Sequence, residues 1–200
     1  MIDENVIHSV VRDMERYAEA NNVPIIEHDS IVYIAKYIEE HHIKKILEIG
    51  TAIGYSAILM SLVSSDVEVT TIERDEKNYK EAVKNIKACG LDKRIEVVFN
   101  DALDVNLSGY KFDMIFIDAA KAQYLKFFEK FKYYLNDNGT IICDNLKFHG
   151  LVEHKEKIES KNVLSMVNKL EEFSDYLKSN QDFQTEFIDV GDGLSVSVRK

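Results

Sequence analysis

Four polar residues stand where the chain should be most apolar. FDMIFIDAAK delivers Asp118, with Lys121 three residues later, at the end of one apolar run, and TIICDN delivers Asp144 and Asn145 at the end of the next. Strands covered on both faces read as nearly continuous apolar runs, so an acid arriving at such a strand end needs a partner or a purpose. Two carboxylates and an amide oxygen make a donor set for a hard cation such as Mg²⁺, which keeps positions open for water and substrate. A cation on Asp118, Asp144 and Asn145 would bind a hydroxyl, lower its pKa and fix the oxygen for reaction, while Lys121 takes the proton or stabilises the oxyanion. Ordinary readings exist for each: Asp118 as a helix N-cap, Lys121 as a solvated lysine in the first helical turn, Asp144 with Asn145 as a turn. They explain the residues singly and leave their shared position at strand ends unexplained.

A second constellation precedes this one. The first strand ends in Glu48-Ile49-Gly50-Thr51-Ala52-Ile53-Gly54, and Tyr55-Ser56-Ala57 opens a helix. Two glycines let the backbone turn sharply and approach a ligand, while helix N–H groups meet a polar or negative group. The loop lacks the first glycine of GxGxxG, so it is not the turn that seats a pyrophosphate. S-adenosylmethionine carries an amino-acid head, a ribose and an adenine without phosphate, and it fits better. Glu48 beside the turn helps orient the head, and Glu73, 23 residues beyond Gly50 at the end of the second strand, stands where an acid grips ribose hydroxyls. The third strand ends at Asn100-Asp101-Ala102. A glycine turn alone only connects a strand to a helix, and Glu73 alone is a solvated strand end. Three successive strand ends with suitable residues are more specific than any one of them.

The elements that must carry these residues alternate from Lys44 onward. KKILEIG, VEVTTIE, IEVVFN, FDMIFID and GTIICD read as strands, separated by helical stripes such as Tyr79, Ala82, Val83, Ile86 and Cys89, and by the segment KAQYLKFFEKFKYYL. That alternation predicts a mostly parallel sheet with helices on both faces. An irregular stretch to about Lys161 precedes a stripe from Val163 to Leu177, and FQTEFIDV, GDG and LSVSVRK then read as an antiparallel hairpin. Before the first strand, residues 3–21 and 29–42 read as two helices with Pro24 between them. The fold class expected is α/β, a Rossmann-like, seven-stranded sheet ending in an antiparallel hairpin. The organisation expected is one domain over 1–200, with N-terminal helices in 1–42, a cofactor and metal core in 43–145, and a substrate loop, helix and hairpin in 146–200.

Bulk properties narrow the function classes. The chain has 200 residues, 46% of them hydrophobic, with one proline and eight glycines, which suits a single buried core without a flexible linker. No secretory leader or membrane-length apolar run is legible, so a soluble cytoplasmic protein is expected. Cys89 and Cys143 lie in apolar patterns and read as reduced core residues. A formal net charge of −10 opposes nonspecific binding of phosphate backbones, though a local basic face remains compatible with it.

The segments LEIGTAIGYSA, TTIERD, FDMIFIDAAKAQY, GTIICDNLKFHGLV and VGDGLSVSVRK together resemble the cation-dependent O-methyltransferases that include the caffeoyl-CoA and catechol enzymes. The resemblance covers nearly the whole chain. It implies Asp118, Asp144 and Asn145 as metal ligands, and Lys121 as base with Asp118 beside it in catalysis. Cofactor contacts are implied from Glu48, Gly50, Gly54, Ser56, Glu73 and Asp101, with Thr51, Ala102 and Asp118 completing the expected set. A homodimer is the default it implies. One departure is Asn138 before Gly139, where the family usually has two glycines; a changed turn is expected there, with the chemistry intact.

Within the family, the short chain, VPIIEHDSI and DNLKFHGLV look most like the bacterial subgroup that methylates 5-hydroxyuridine at the tRNA wobble position, and plant-type members usually carry DADK where this chain has DAAK. A tRNA anticodon loop is therefore the expected partner, and a small catechol or phenol the alternative. After Asn145 the loop holds Lys147, Lys155, Lys157 and Lys161 with His149 and His154, against Glu153, Glu156 and Glu159. Clusters of this size are commonly solvated surface, and Phe148 serves equally as a base-stacking ring or as a lid over a phenol. A nicotinamide oxidoreductase is disfavoured by the missing GxGxxG, and a noncatalytic domain by the presence of all three metal-ligand candidates and Lys121.

Overall fold

The computed structural model describes residues 4–148, 150–152, 154–155 and 158–200. The chain divides into two compact units, the first ending at Asn106 and the second starting at Leu107.

In the first unit, α1 (Glu4–Asn21) and α2 (His28–Glu40) precede β1 (Lys45–Ile49), α3 (Tyr55–Leu62), β2 (Glu68–Glu73), α4 (Glu76–Ala88) and β3 (Ile95–Phe99). β2 pairs in parallel with both β1 and β3. Helix α4 shows how local sequence sets an element. Asp75 caps its start, its carboxylate accepting from the Asn78 amide at 2.8 Å, which occupies one of the otherwise unpaired first-turn donors. Gly90 ends it at φ +67°, with its own N–H bonded to the Lys87 carbonyl and that of Leu91 to the Ile86 carbonyl, a glycine-terminated Schellman arrangement. The buried face is Ala82, Asn85 and Ile86, whereas Val83 is exposed. The stripe is thus displaced from the apolar pattern toward Asn85, whose amide earns its place by donating to the Ile53 carbonyl at 3.0 Å.

The second unit holds β4 (Phe112–Ile117), α5 (Tyr124–Phe131), β5 (Leu135–Cys143), α6 (Lys161–Ser179), β6 (Phe183–Ile188) and β7 (Leu194–Arg199). β4 and β5 are parallel, while β7 runs antiparallel to both β5 and β6. The segment read as one helix from Lys121 is divided: a 3-10 turn at Lys121–Gln123, then α5, then a second 3-10 turn at Lys132–Tyr134. The break falls at Gln123, whose φ of −117° leaves the helical region. Asn138 lies inside β5, at φ +60°, and the β4–β5 register shifts between Phe112 and Met114. The asparagine therefore accommodates a left-handed kink within the strand, a conformation Asn tolerates better than most residues. Phe128 meets Phe173, Phe183 and Tyr176 edge-on, tying α5, α6 and β6 together.

The strand order is β3-β2-β1-β4-β5-β7-β6, a mixed seven-stranded sheet that is mostly parallel and closes in an antiparallel hairpin. This is the Rossmann-like fold expected from the alternation of elements. Cys89 and Cys143 are buried free thiols. Among the described residues, no helix is long and apolar enough to cross a membrane.

Candidate functional site

The glycine turn of the first unit is built from both ends. Gly50 and Gly54 adopt φ of +102° and +87°, and Ala52 between them is also left-handed. A Cβ on Gly54 would lie 3.4 Å from Ala82 of α4, so turn and helix approach closely. Glu48 is fully buried and accepts from Ser56 Oγ and Thr71 Oγ1, each at 2.5 Å. Thr51 joins the cluster, its hydroxyl 2.6 Å from that of Thr71. Since Glu48 exposes no surface, it acts on any ligand through the groups it holds. Glu73 bonds inward: one carboxylate oxygen accepts from the Ala52 amide at 2.8 Å, the other from the amides of Arg74 and Asp75. A ribose hydroxyl would share that carboxylate with three backbone donors. Asp101 caps its own loop through the Leu103 amide at 2.8 Å and pairs with Arg74 at 3.3 Å, while Ala102 packs beside it, buried.

The second unit gathers the chemistry-bearing set. Lys121, in the 3-10 turn before α5, donates from Nζ to the Asn145 side-chain oxygen at 2.7 Å. Asp144 is fully buried. Its Oδ1 accepts from the Asn145 amide at 2.6 Å, and its Oδ2 has no hydrogen-bond partner. Burial, then the nearby Asp118 charge, push the Asp144 carboxyl up to about 7. Asp118 is raised as well, by burial, with Lys121 pulling the other way. Leaving a buried polar atom unsatisfied costs roughly 1–3 kcal/mol, and more when the group is charged. Two desolvated, mutually repelling carboxylates with one unpaired oxygen are therefore an environment that a divalent cation would relieve. Among the described residues there is no group of three or more His, Cys, Asp or Glu side chains placed to hold a metal ion by themselves; the donor set here is two carboxylates and an amide, which fits a hard, partly hydrated cation.

Sequence reasoning missed the supports of this set. Tyr124 donates to the Asp144 carbonyl oxygen at 3.0 Å, and the hairpin turn holds the two residues after Asn145. GDG was legible only as a turn signal. In the basic loop, Lys147 is paired with Asp189 of the turn after β6 and Lys155 with Glu171 of α6, so these two cations are offset by acids. His149, Glu153, Glu156 and Lys157 lie outside the described residues.

A mixed sheet of this order, a glycine turn after its first strand and a paired acid set after β4 and β5 define a methyltransferase-type fold. The chain belongs to the O-methyltransferase family, whose model matches residues 4–200. It is similar to a Staphylococcus aureus protein of solved structure, provisionally assigned as a caffeoyl-CoA O-methyltransferase, with 34% identity, a TM-score of 0.91, and 99% and 100% of the two chains covered. An O-methyltransferase from Bacillus cereus solved with SAH is 27% identical over 96% of this chain and 91% of its own, with a TM-score of 0.83. A catechol O-methyltransferase from Niastella koreensis is 36% identical over 58% of this chain and 55% of its own.

Proposed function

We propose that this protein transfers the methyl group of S-adenosylmethionine to an acidic, ring-borne hydroxyl, with Asp118, Asp144 and Asn145 holding a divalent cation, Mg²⁺ by default. The observation that carries the reading is the buried, unpartnered Asp144 Oδ2 beside the raised Asp118 carboxyl. Family membership supports the reaction class, and the SAH complex of the Bacillus cereus relative supports the donor. When bound, the cation supplies Lewis acidity that lowers the pKa of the hydroxyl and fixes its oxygen. The oxygen forms a bond to the methyl carbon as the carbon–sulfur bond breaks, giving the methyl ether and S-adenosylhomocysteine. Lys121 receives the hydroxyl proton or stabilises the developing oxyanion. The donor is held by the turn from Gly50 to Gly54, with Glu48, Thr51 and Ser56 bracing it and Glu73, Asp101, Ala102 and Asp118 contributing contacts. The family model runs through both compact units, which supports reading 1–200 as one methyltransferase domain. A homodimer in the cytoplasm completes the proposal.

The subgroup motifs support 5-hydroxyuridine at the tRNA wobble position as substrate. A small catechol or phenol is the second reading, favoured by the Niastella koreensis relative and by the paired loop lysines. The test offers purified protein labelled S-adenosylmethionine and Mg²⁺ with either catechol or bulk tRNA from a strain deleted for the gene, with and without chelator. Chelator-sensitive label in tRNA that digests to 5-methoxyuridine establishes the first substrate. Label in catechol alone establishes the second, and chelator-insensitive transfer overturns the metal assignment.

A further inference from the structure

Asn145 sits at φ +58° and Phe148 at φ +47°, two left-handed non-glycine residues in a run of four. Such conformations are strained for residues with a side chain and persist only where the surroundings hold them. The surroundings are the C-terminal hairpin turn. The Leu146 amide donates to the Gly193 carbonyl at 3.0 Å and the Lys147 amide to the Asp192 carbonyl at 2.9 Å, while the Lys147 ammonium pairs with Asp189. Gly193 is required twice, by its φ of +84° and by space, because a Cβ there would fall 2.9 Å from Lys147 Cγ. None of the proposed ligands Asp118, Asp144 and Asn145 lies in this turn, which itself carries the buried Asp192. The turn holds the chain directly after Asn145.

We propose that the hairpin turn, residues 189–193, is a clamp that sets the geometry of Asp144 and Asn145, with Gly193 and Lys147 as positioning residues for metal binding. The proposal rests on reading Asp118, Asp144 and Asn145 as metal ligands. The clamp fixes the segment on its downstream side, and the Tyr124 hydroxyl on the Asp144 carbonyl fixes it upstream. Partners that orient metal ligands from outside typically change affinity by about 10- to 100-fold when removed.

The experiment is Mn²⁺ titration by calorimetry of the full chain, wild type against Gly193→Ala, with melting temperature in chelator measured in parallel. Gly109→Ala is the control, since Gly109 is also left-handed at φ +89° but its Cβ would meet nothing within 4 Å. Gly193→Ala is expected to weaken Mn²⁺ binding about tenfold or more while Gly109→Ala leaves it at the wild-type value. Asp189→Ala, which removes only the ion pair with Lys147, is expected to weaken binding by a smaller factor, and it carries the test if Gly193→Ala does not fold. Wild-type Mn²⁺ affinity in the folded Gly193→Ala protein, or in Asp189→Ala where that variant carries the test, overturns the clamp and leaves the metal reading standing. A wild-type protein that binds no Mn²⁺ overturns both.

Discussion

Asp144 concentrates the residue-scale argument, because one of its oxygens is used and the other is buried without a partner. Replacing it with Asn keeps the shape and the acceptor for the Asn145 amide while removing a desolvated charge that faces Asp118. Removing an uncompensated buried charge is neutral or stabilising to the apoprotein. In chelator, Asp144→Asn is therefore expected to melt no lower than wild type, yet to lose the thermal shift that Mg²⁺ or Mn²⁺ confers on wild type. A retained shift would sink the ligand assignment. Lys121 is separable from this: Lys121→Met is expected to lower kcat by about 10²–10⁴ with little change in the KM for S-adenosylmethionine. Steady-state kinetics with a catechol, or with tRNA, whichever substrate the first experiment returns, checks it.

At the scale of elements, the packing of α5 against α6 contains a polar junction. Glu129 of α5 accepts from Lys132 and from the Tyr176 hydroxyl of α6. Burial alone would raise its carboxyl, but these hydrogen bonds outweigh it and hold the group below its ordinary value of 4.5. A carboxylate depressed in the folded state contributes stability that is present above the unfolded value and lost as pH falls through the folded one. Wild type should therefore lose more stability than Glu129→Gln as pH falls from neutrality to below 4.5, by urea titration at each pH. Equal losses would show that the junction contributes nothing on the acid side; the Glu129 side chain is 43% exposed, so solvent screens it and the difference is modest. The same two helices share the Phe128 cluster, which the 3.6-residue period made legible. The 3-10 turns bounding α5 were not, because propensity does not distinguish one tight turn from the start of a helix.

For the whole molecule, the decisive quantity is charge. With 25 basic against 35 acidic residues, and Lys147 and Lys155 paired with Asp189 and Glu171, the proposed tRNA substrate would have few of its phosphates neutralised. The logarithm of tRNA affinity should therefore fall with the logarithm of salt by a slope of no more than about 2 or 3, against about 0.7–0.9 per phosphate contacted. Filter binding at several salt concentrations measures it. A slope near 6 or steeper would reveal a basic face that the described ion pairs do not account for.

The sequence by itself determined the order and kind of the main elements and the strand ends that bear the candidate site residues. Buried parallel strands write themselves as apolar runs, so Glu48, Glu73, Asp118 and Asp144 stand out as interruptions at their ends, and glycines mark the turns that need positive φ. Only tertiary structure decided what those residues touch. Glu48 finds Thr71 across 23 positions, Lys121 finds Asn145 across 24, and Lys147 finds Asp189 across 42. Local pattern reports periodicity and propensity over a few residues, whereas the pairing of a charge depends on which distant segment the sheet topology lays beside it.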